Sequence, residues 1–206
     1  MPSEKVPIIR KFTKDDEKGW VRCRVLAFLD SAYYDDVYQE KEHYESQSVE
    51  LVAEVEGEVV GLIDIECETE PHSICSSSPD RDESQVAGMI WHLAVHPDFR
   101  RQGIAEALLQ HAIEKSRELG LSRLEAWTRN DGQAEMWYQK QGFQRAESYY
   151  HIYMDSTELV PEIINAKVPG FYLRSAFAHY TGDDMSIVSK FKRVYRCSRY
   201  NLILKQ

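Results

Sequence analysis

No stretch of this chain comes near the roughly 18 consecutive apolar residues of a membrane-spanning helix, and its opening "MPSEKVPIIRKF" has no apolar signal core. A basic surplus is also missing. Among 206 residues, 25 Lys and Arg stand against 34 Asp and Glu, a net charge of −9. That argues against a general nucleic-acid footprint and suits a cationic partner such as an amine. Cysteine is sparse. Cys23, Cys67, Cys75 and Cys197 form no CxxC pair and no zinc spacing, so neither a disulfide framework nor structural zinc is expected. His72, Cys75, His92 and His96 lie loosely together without a usual ligand pattern, and no metal is expected. There is no GK[ST] and no GxGxxG, which sets aside a P-loop and a dinucleotide site. These absences describe a soluble protein of a reducing compartment, expected in the cytoplasm, with neither membrane nor nucleic acid as partner.

What is present suits a packed domain: 43% hydrophobic and 29% charged residues. A single domain is expected over 1–206, its core about 6–155, with 156–206 a C-terminal elaboration ending in the strand "KRVYRCSRYNLILK". "VPIIRKF" reads as a first strand, and Thr13 with Asp16 as a capping box. A helix follows, with Val21, Val25, Leu26, Phe28 and Leu29 near helical spacing. "DDVYQEKEHYES" reads as a second short helix or a mobile lid. Two β-rich runs flank Glu56-Gly57, the mark of a tight hairpin. The polar "TEPHSICSSSPDRDESQ" is a loop, and "VAGMIWHLAVHP" a strand stopped by Pro97. Ala105, Leu108, Leu109, Ala112, Ile113 and Leu119 mark a helical stripe closed by Gly120. Then come a strand "LSRLEAWTR", a helix "NDGQAEMWYQKQGF" with Asn130 or Asp131 at its cap, and a strand "QRAESYYHIYMD". This order predicts an α/β fold with a mixed sheet and a βαβ crossover.

The chemistry gathers in "VHPDFRRQGIAEALLQHAI". A helix start offers unpaired N–H groups and the positive end of the helix dipole, a ready anion site. Gly103 permits close backbone approach, Ala105 keeps the next turn clear, and Arg100 and Arg101 add cationic donors. The spacing suits a pyrophosphate. A structural turn with solvated arginines is the plainer alternative.

Arg100-Arg101-Gln102-Gly103-Ile104-Ala105 resembles the [QR]-x-x-G-x-[GA] motif of the GCN5-related N-acetyltransferase (GNAT) superfamily. "NDGQAEMWYQKQGF" is similar to that superfamily's second element, with Asn130, Ala134, Trp137, Tyr138, Gly142 and Phe143 in register. The resemblance covers about 88–154. It implies a mixed, mostly antiparallel central sheet with flanking helices, the GNAT fold, and acetyl-CoA as cosubstrate. It further implies that the backbone of Leu93, Ala94 and Val95 takes pantetheine and thioester. Residues Arg100, Arg101, Gln102, Gly103, Ile104 and Ala105 would hold the pyrophosphate and Asn130 the pantetheine arm. Tyr138 would protonate the departing thiolate. A phenol suits that task, although Trp137, Tyr138 and Phe143 also read as packing residues. The acceptor is a small-molecule or peptide amine, attacking directly in a ternary complex, and a homodimer is left open.

No general base stands out. Met89 and Trp91 occupy the positions where a proton acceptor would be sought. By strand parity His92 faces away from them. Asp64 and Glu66 read as solvated carboxylates able to act through water, and Tyr149, Tyr150 and Tyr153 as pocket-shaping or packing groups. The missing base keeps a second function open, a non-catalytic acyl-CoA-binding sensor or interaction module on the same fold.

Overall fold

Turn chemistry and alternation lay down the first three strands. In the computed structural model, which describes residues 6–77, 85–159, 163–164 and 166–205, β1 is Ile8–Lys11, β2 Ser48–Val55 and β3 Glu58–Cys67. Glu56 and Gly57 both take positive φ, 52° and 83°, and turn β2 directly into β3. The capping box forms as expected: the Asp16 carboxylate accepts from the Thr13 amide and hydroxyl at 2.8 and 2.9 Å. It leads into α1, Glu17–Leu29.

The buried face of α1 is not the one the periodicity suggests. Trp20, Cys23, Arg24 and Ala27 are buried, while Leu29 is 56% exposed. An arginine therefore occupies a core position, and the stripe looks weak because one of its members is charged.

The remaining elements are β4 Ala87–Val95, α2 Ile104–Glu118, β5 Arg123–Arg129, α3 Gly132–Lys140, β6 Gln144–Asp155, β7 Ser175–Tyr180, α4 Met185–Val188 and β8 Arg193–Ile203. They complete a mixed α/β fold with one eight-stranded sheet, ordered β1-β2-β3-β4-β5-β8-β6-β7. Only β4 and β5 run parallel; every other pairing is antiparallel. The polar loop expected before β4 lies partly outside the described residues.

Two apolar layers sandwich the sheet. One face packs against α2 and α3 through residues such as Ile63, Ile65, Leu108, Leu124 and Tyr200. The other packs against α1 through Val52, Leu62 and Ala94. Gly61 sets how closely α2 approaches, because a Cβ there would lie 2.8 Å from Ile104 Cγ2. The helix start is thereby drawn down beside the end of β4.

The strand expected at the C-terminal end is β8, and it lies inside the sheet, between β5 and β6. Leu204 is buried, but Ile203 is 57% exposed, since successive strand residues alternate faces. "DDVYQEKEHYES" is neither helix nor free lid. The irregular connection from α1 to β2 is tied down by Arg24 to Asp36, by Arg129 to the Ala32 carbonyl and by Arg193 to Asp35. Its Lys41 is wholly buried, with Nζ 2.6 Å from Glu50 and 3.0 Å from Asp64.

Candidate active site

The parallel pairing of β4 with β5 runs only from Ala87 to Ile90. Beyond Ile90 the two strands part, and a cavity of about 990 Å³ opens between them, roofed by α1 and α3. Its size falls in the range of ligand sites. Leu93, Ala94 and Val95 form one wall, Trp127, Thr128 and Asn130 the other, and it extends to Arg100, Ala105 and Tyr138.

Strand geometry decides what that wall offers. The His96 amide bonds the Val60 carbonyl of β3 at 2.9 Å. By the two-residue alternation, Leu93 and Val95 turn their N–H and C=O groups the other way, toward the gap β5 has vacated. The Leu93 and Val95 amides and the Leu93 carbonyl therefore face the cavity without a strand partner.

The loop after β4 leaves the first amides of α2 without a side-chain cap. Arg101 and Gly103 hold left-handed φ of 59° and 79°. Gly103 is the N-cap of α2 and supplies no side-chain cap. The amides of Gly103, Ile104, Ala105 and Glu106 consequently have no acceptor among the described residues. Ile104 is itself 2% exposed and presents only its backbone. Arg101, Gln102 and Gly103 are exposed, with Gln102 Nε2 3.5 Å from the Asp98 carbonyl. Arg100 differs from the expectation. Its guanidinium turns inward, donating to the Ala27 carbonyl at 2.7 Å and to Val95 O at 3.4 Å. It ties the loop to the last turn of α1, and the cradle consists chiefly of backbone.

Asp131, not Asn130, caps α3, accepting from the amides of Gln133 and Ala134. The Asn130 Oδ1 accepts from the Arg196 amide at 3.1 Å, which leaves its NH2 for the cavity. Tyr138 is 8% exposed; its ring stacks on Tyr200 and meets Trp137 and Phe143 edge-on. The ring packs, and the residue also lines the cavity. Burial raises its pKa, so the phenol is protonated at neutral pH.

The parity argument for His92 fails. Asp64 pairs with His92 and Ile65 with Ile90, so Trp91 is an extra residue bulging from β4. The bulge swings His92 onto the face of α1 and into the cavity lining. Trp91 is 47% exposed and gives its indole N–H to Glu66 at 2.8 Å. His92 accepts from Arg24 Nε at Nδ1 (3.3 Å), and its Nε2 lies 2.8 Å from Glu42 Oε2. The hydrogen bond from His92, with the nearby charges, holds the Glu42 carboxyl below its usual pKa. Arg24, His92 and Glu42 form a cavity-side group that sequence reading missed. The one available signal was a basic residue at a core position of α1.

Asp64 is not a solvated carboxylate. It is fully buried beneath Lys41 and Tyr44, and burial pushes its pKa up against the pull of the Lys41 ammonium. Tyr149 belongs to a separate cluster on β6 and β7. There His151 and His179 stack with ring centres 4.7 Å apart, and Arg129 Nε donates to His151 Nδ1. Burial, with Arg129 and His179, lowers the His151 pKa to about 4. The unfolded chain thus binds a proton there between roughly pH 6.5 and 4 that the folded chain refuses. The expected result is a melting temperature that falls as pH drops through that window. His151→Phe should flatten the fall, as followed by circular dichroism; an unchanged slope would refute the assignment.

A splayed parallel pair, a helix start without a side-chain cap and a tyrosine meet at one cavity. Residues 13–143 match the acetyltransferase (GNAT) family, and the chain belongs to that family. It is accordingly an acetyl-CoA-dependent acetyltransferase. An N-acetyltransferase of Archaeoglobus fulgidus is 30% identical over 148 residues, covering 68% of this chain and 95% of that one. In fold, the chain is similar to Arabidopsis thaliana NAA60 solved with a bisubstrate analogue, with TM-score 0.60, 13% identity, and 96% of this chain and 98% of that one covered. It is likewise similar to Salmonella typhimurium yncA solved with acetyl-CoA, with TM-score 0.57, 15% identity, and 98% and 95% covered.

Proposed function

We propose that the protein moves the acetyl group of acetyl-CoA to a primary amine by direct attack in a ternary complex. The observation that carries this reading is the convergence, on one cavity, of the edge of β4 that β5 leaves, Ala105 in the first turn of α2, and Tyr138. The pyrophosphate would rest on the backbone of Arg101, Gln102, Gly103, Ile104 and Ala105. Arg101 adds charge, and Arg100 braces the loop. Pantetheine would pair with the backbone of Leu93 and Val95 and with the Asn130 carboxamide N–H, whereas the Ala94 backbone, expected to join them, is turned toward β3. An amide on that edge would polarise the thioester carbonyl as charge develops on its oxygen.

The neutral amine nitrogen forms the new C–N bond. The C–S bond then breaks, and the thiolate takes the Tyr138 proton. The proton lost by nitrogen returns through solvent to the phenolate, so an acceptor entering as ammonium releases one proton overall. The four cysteines are buried, and none lines the cavity, which favours direct transfer over an acetyl-cysteine intermediate.

The test mixes purified protein with acetyl-CoA and a panel of amines and follows free thiol. Tyr138→Phe keeps the ring that stacks on Tyr200. It is expected to lower turnover by ~10-fold or more, a loss in the range of a missing general acid, with acetyl-CoA affinity nearly unchanged. Equal turnover in both proteins would remove Tyr138 from the mechanism. Tight acetyl-CoA binding with no thiol release on any amine would point to a sensor.

A further inference from the structure

The acceptor end of the cavity has a pronounced charge imbalance. Arg24 lines it, but each nitrogen of that guanidinium is engaged: Nε on His92 at 3.3 Å, Nη1 on the Asp36 carbonyl at 2.7 Å, and Nη2 on Asp36 Oδ2 at 3.3 Å. Tyr38 and Phe28 also stack on it at 3.8 and 4.6 Å, and Arg24 is 1% exposed. The ammonium of Lys41, next to Glu42 in sequence, is buried on Glu50 and Asp64. Arg100 is held on the Ala27 carbonyl at the donor end. Among the described residues, no cavity-lining cation at the acceptor end is free to receive a carboxylate.

Glu42 is in the opposite state. Its Oε2 lies 2.8 Å from His92 Nε2, and that ring is itself positioned by Arg24 Nε on Nδ1 at 3.3 Å. The carboxylate is thus held in one orientation. It is 41% exposed, lines the cavity, and contacts the residue adjacent to Leu93, whose backbone faces the gap. A half-exposed carboxylate held in place at the cavity wall is a receptor for an ammonium group.

We propose that Glu42 anchors the ammonium of the acceptor, and that the site selects primary amines lacking a carboxylate beside the nitrogen. Such acceptors are alkyl or arylalkyl amines and amines whose carboxylate is tied up in an amide. Free α-amino acids are disfavoured because their carboxylate would face Glu42 with no cation to receive it. This rests on the acetyl-transfer reading of the same cavity, and the test separates the two.

Matched pairs serve as probes: tyramine against tyrosine, phenethylamine against phenylalanine, agmatine against arginine. Each is titrated calorimetrically into the CoA-loaded protein and assayed for acetylation. The wild type should favour the amine of each pair by ~10-fold or more, the scale of one lost charge-assisted contact. Glu42→Gln keeps the shape and the bond from His92. It should raise KM for the amines by ~10-fold or more, a comparable loss, with kcat less affected and acetyl-CoA affinity unchanged. Equal use of both members of the pairs, undiminished amine binding by Glu42→Gln, or no amine binding to the loaded wild type would each overturn the proposal. Failure of the wild type to bind acetyl-CoA would instead overturn the donor-site reading.

Discussion

Gly103→Val is expected to weaken acetyl-CoA binding by roughly 100-fold, about 2.7 kcal/mol. The backbone there holds φ of 79°. A β-branched residue is a true outlier in that region, at a cost on the order of 1–3 kcal/mol. The protein itself does not obstruct the new side chain, since a Cβ at Gly103 meets nothing within 4 Å. The strain is therefore relieved by the loop turning to another conformation. That re-aims the amides of Gly103, Ile104, Ala105 and Glu106, which have no acceptor of their own. Because the position is exposed, the fold should survive with its melting curve almost in place. Calorimetric titration with acetyl-CoA is the check. An unchanged dissociation constant would mean that these amides do not hold the pyrophosphate.

Lys41→Met should lower unfolding free energy by about 3–5 kcal/mol, the usual cost of orphaning a buried charge. The replacement itself fits. Lys41 Nζ sits 4.9 Å from the ring centres of Phe12 and Tyr44 and 5.3 Å from that of Trp20, an apolar cage suited to a thioether. The loss arises at Asp64, which is fully buried and keeps only the Tyr44 hydroxyl as a hydrogen-bond partner. Without the ammonium its folded pKa rises further, above the unfolded value near 3.8. The folded variant then holds its proton more tightly than the unfolded chain, so the deficit should shrink as pH falls toward that value. Urea unfolding across pH 4–8 measures it. Lys41→Met combined with Asp64→Leu should recover most of the loss, and a double variant as weak as the single would refute the pairing.

Features of the site that depend on neighbouring residues were legible in the sequence. Gly103 as the helix entry, Glu56-Gly57 as the hairpin turn and Thr13 with Asp16 as a cap are decided within four residues by φ preferences and short hydrogen bonds. The donor half of the cavity is made largely of such pieces. The acceptor half is made across the chain. His92 and Glu42 are 50 residues apart, and Arg24 and His92 are 68. The bulge at Trp91 reversed the face of His92, and a period of two carries no sign of an inserted residue. Lys41 lies in a polar stretch whose composition reads as solvated, yet three rings and two carboxylates enclose it.

The order of strands in space also bears on when the protein can work. β8 leaves the ribosome after both β5 and β6, yet it lies between them. Until it is made, those two strands have nothing between them, and both present open ladders, an exposure that invites wrong pairing. Tyr138 rests on Tyr200, a residue of that same strand. The proposed acid thus gains its seat only when synthesis reaches β8, and a nascent chain could carry a formed α2 cradle well before it could complete a turnover.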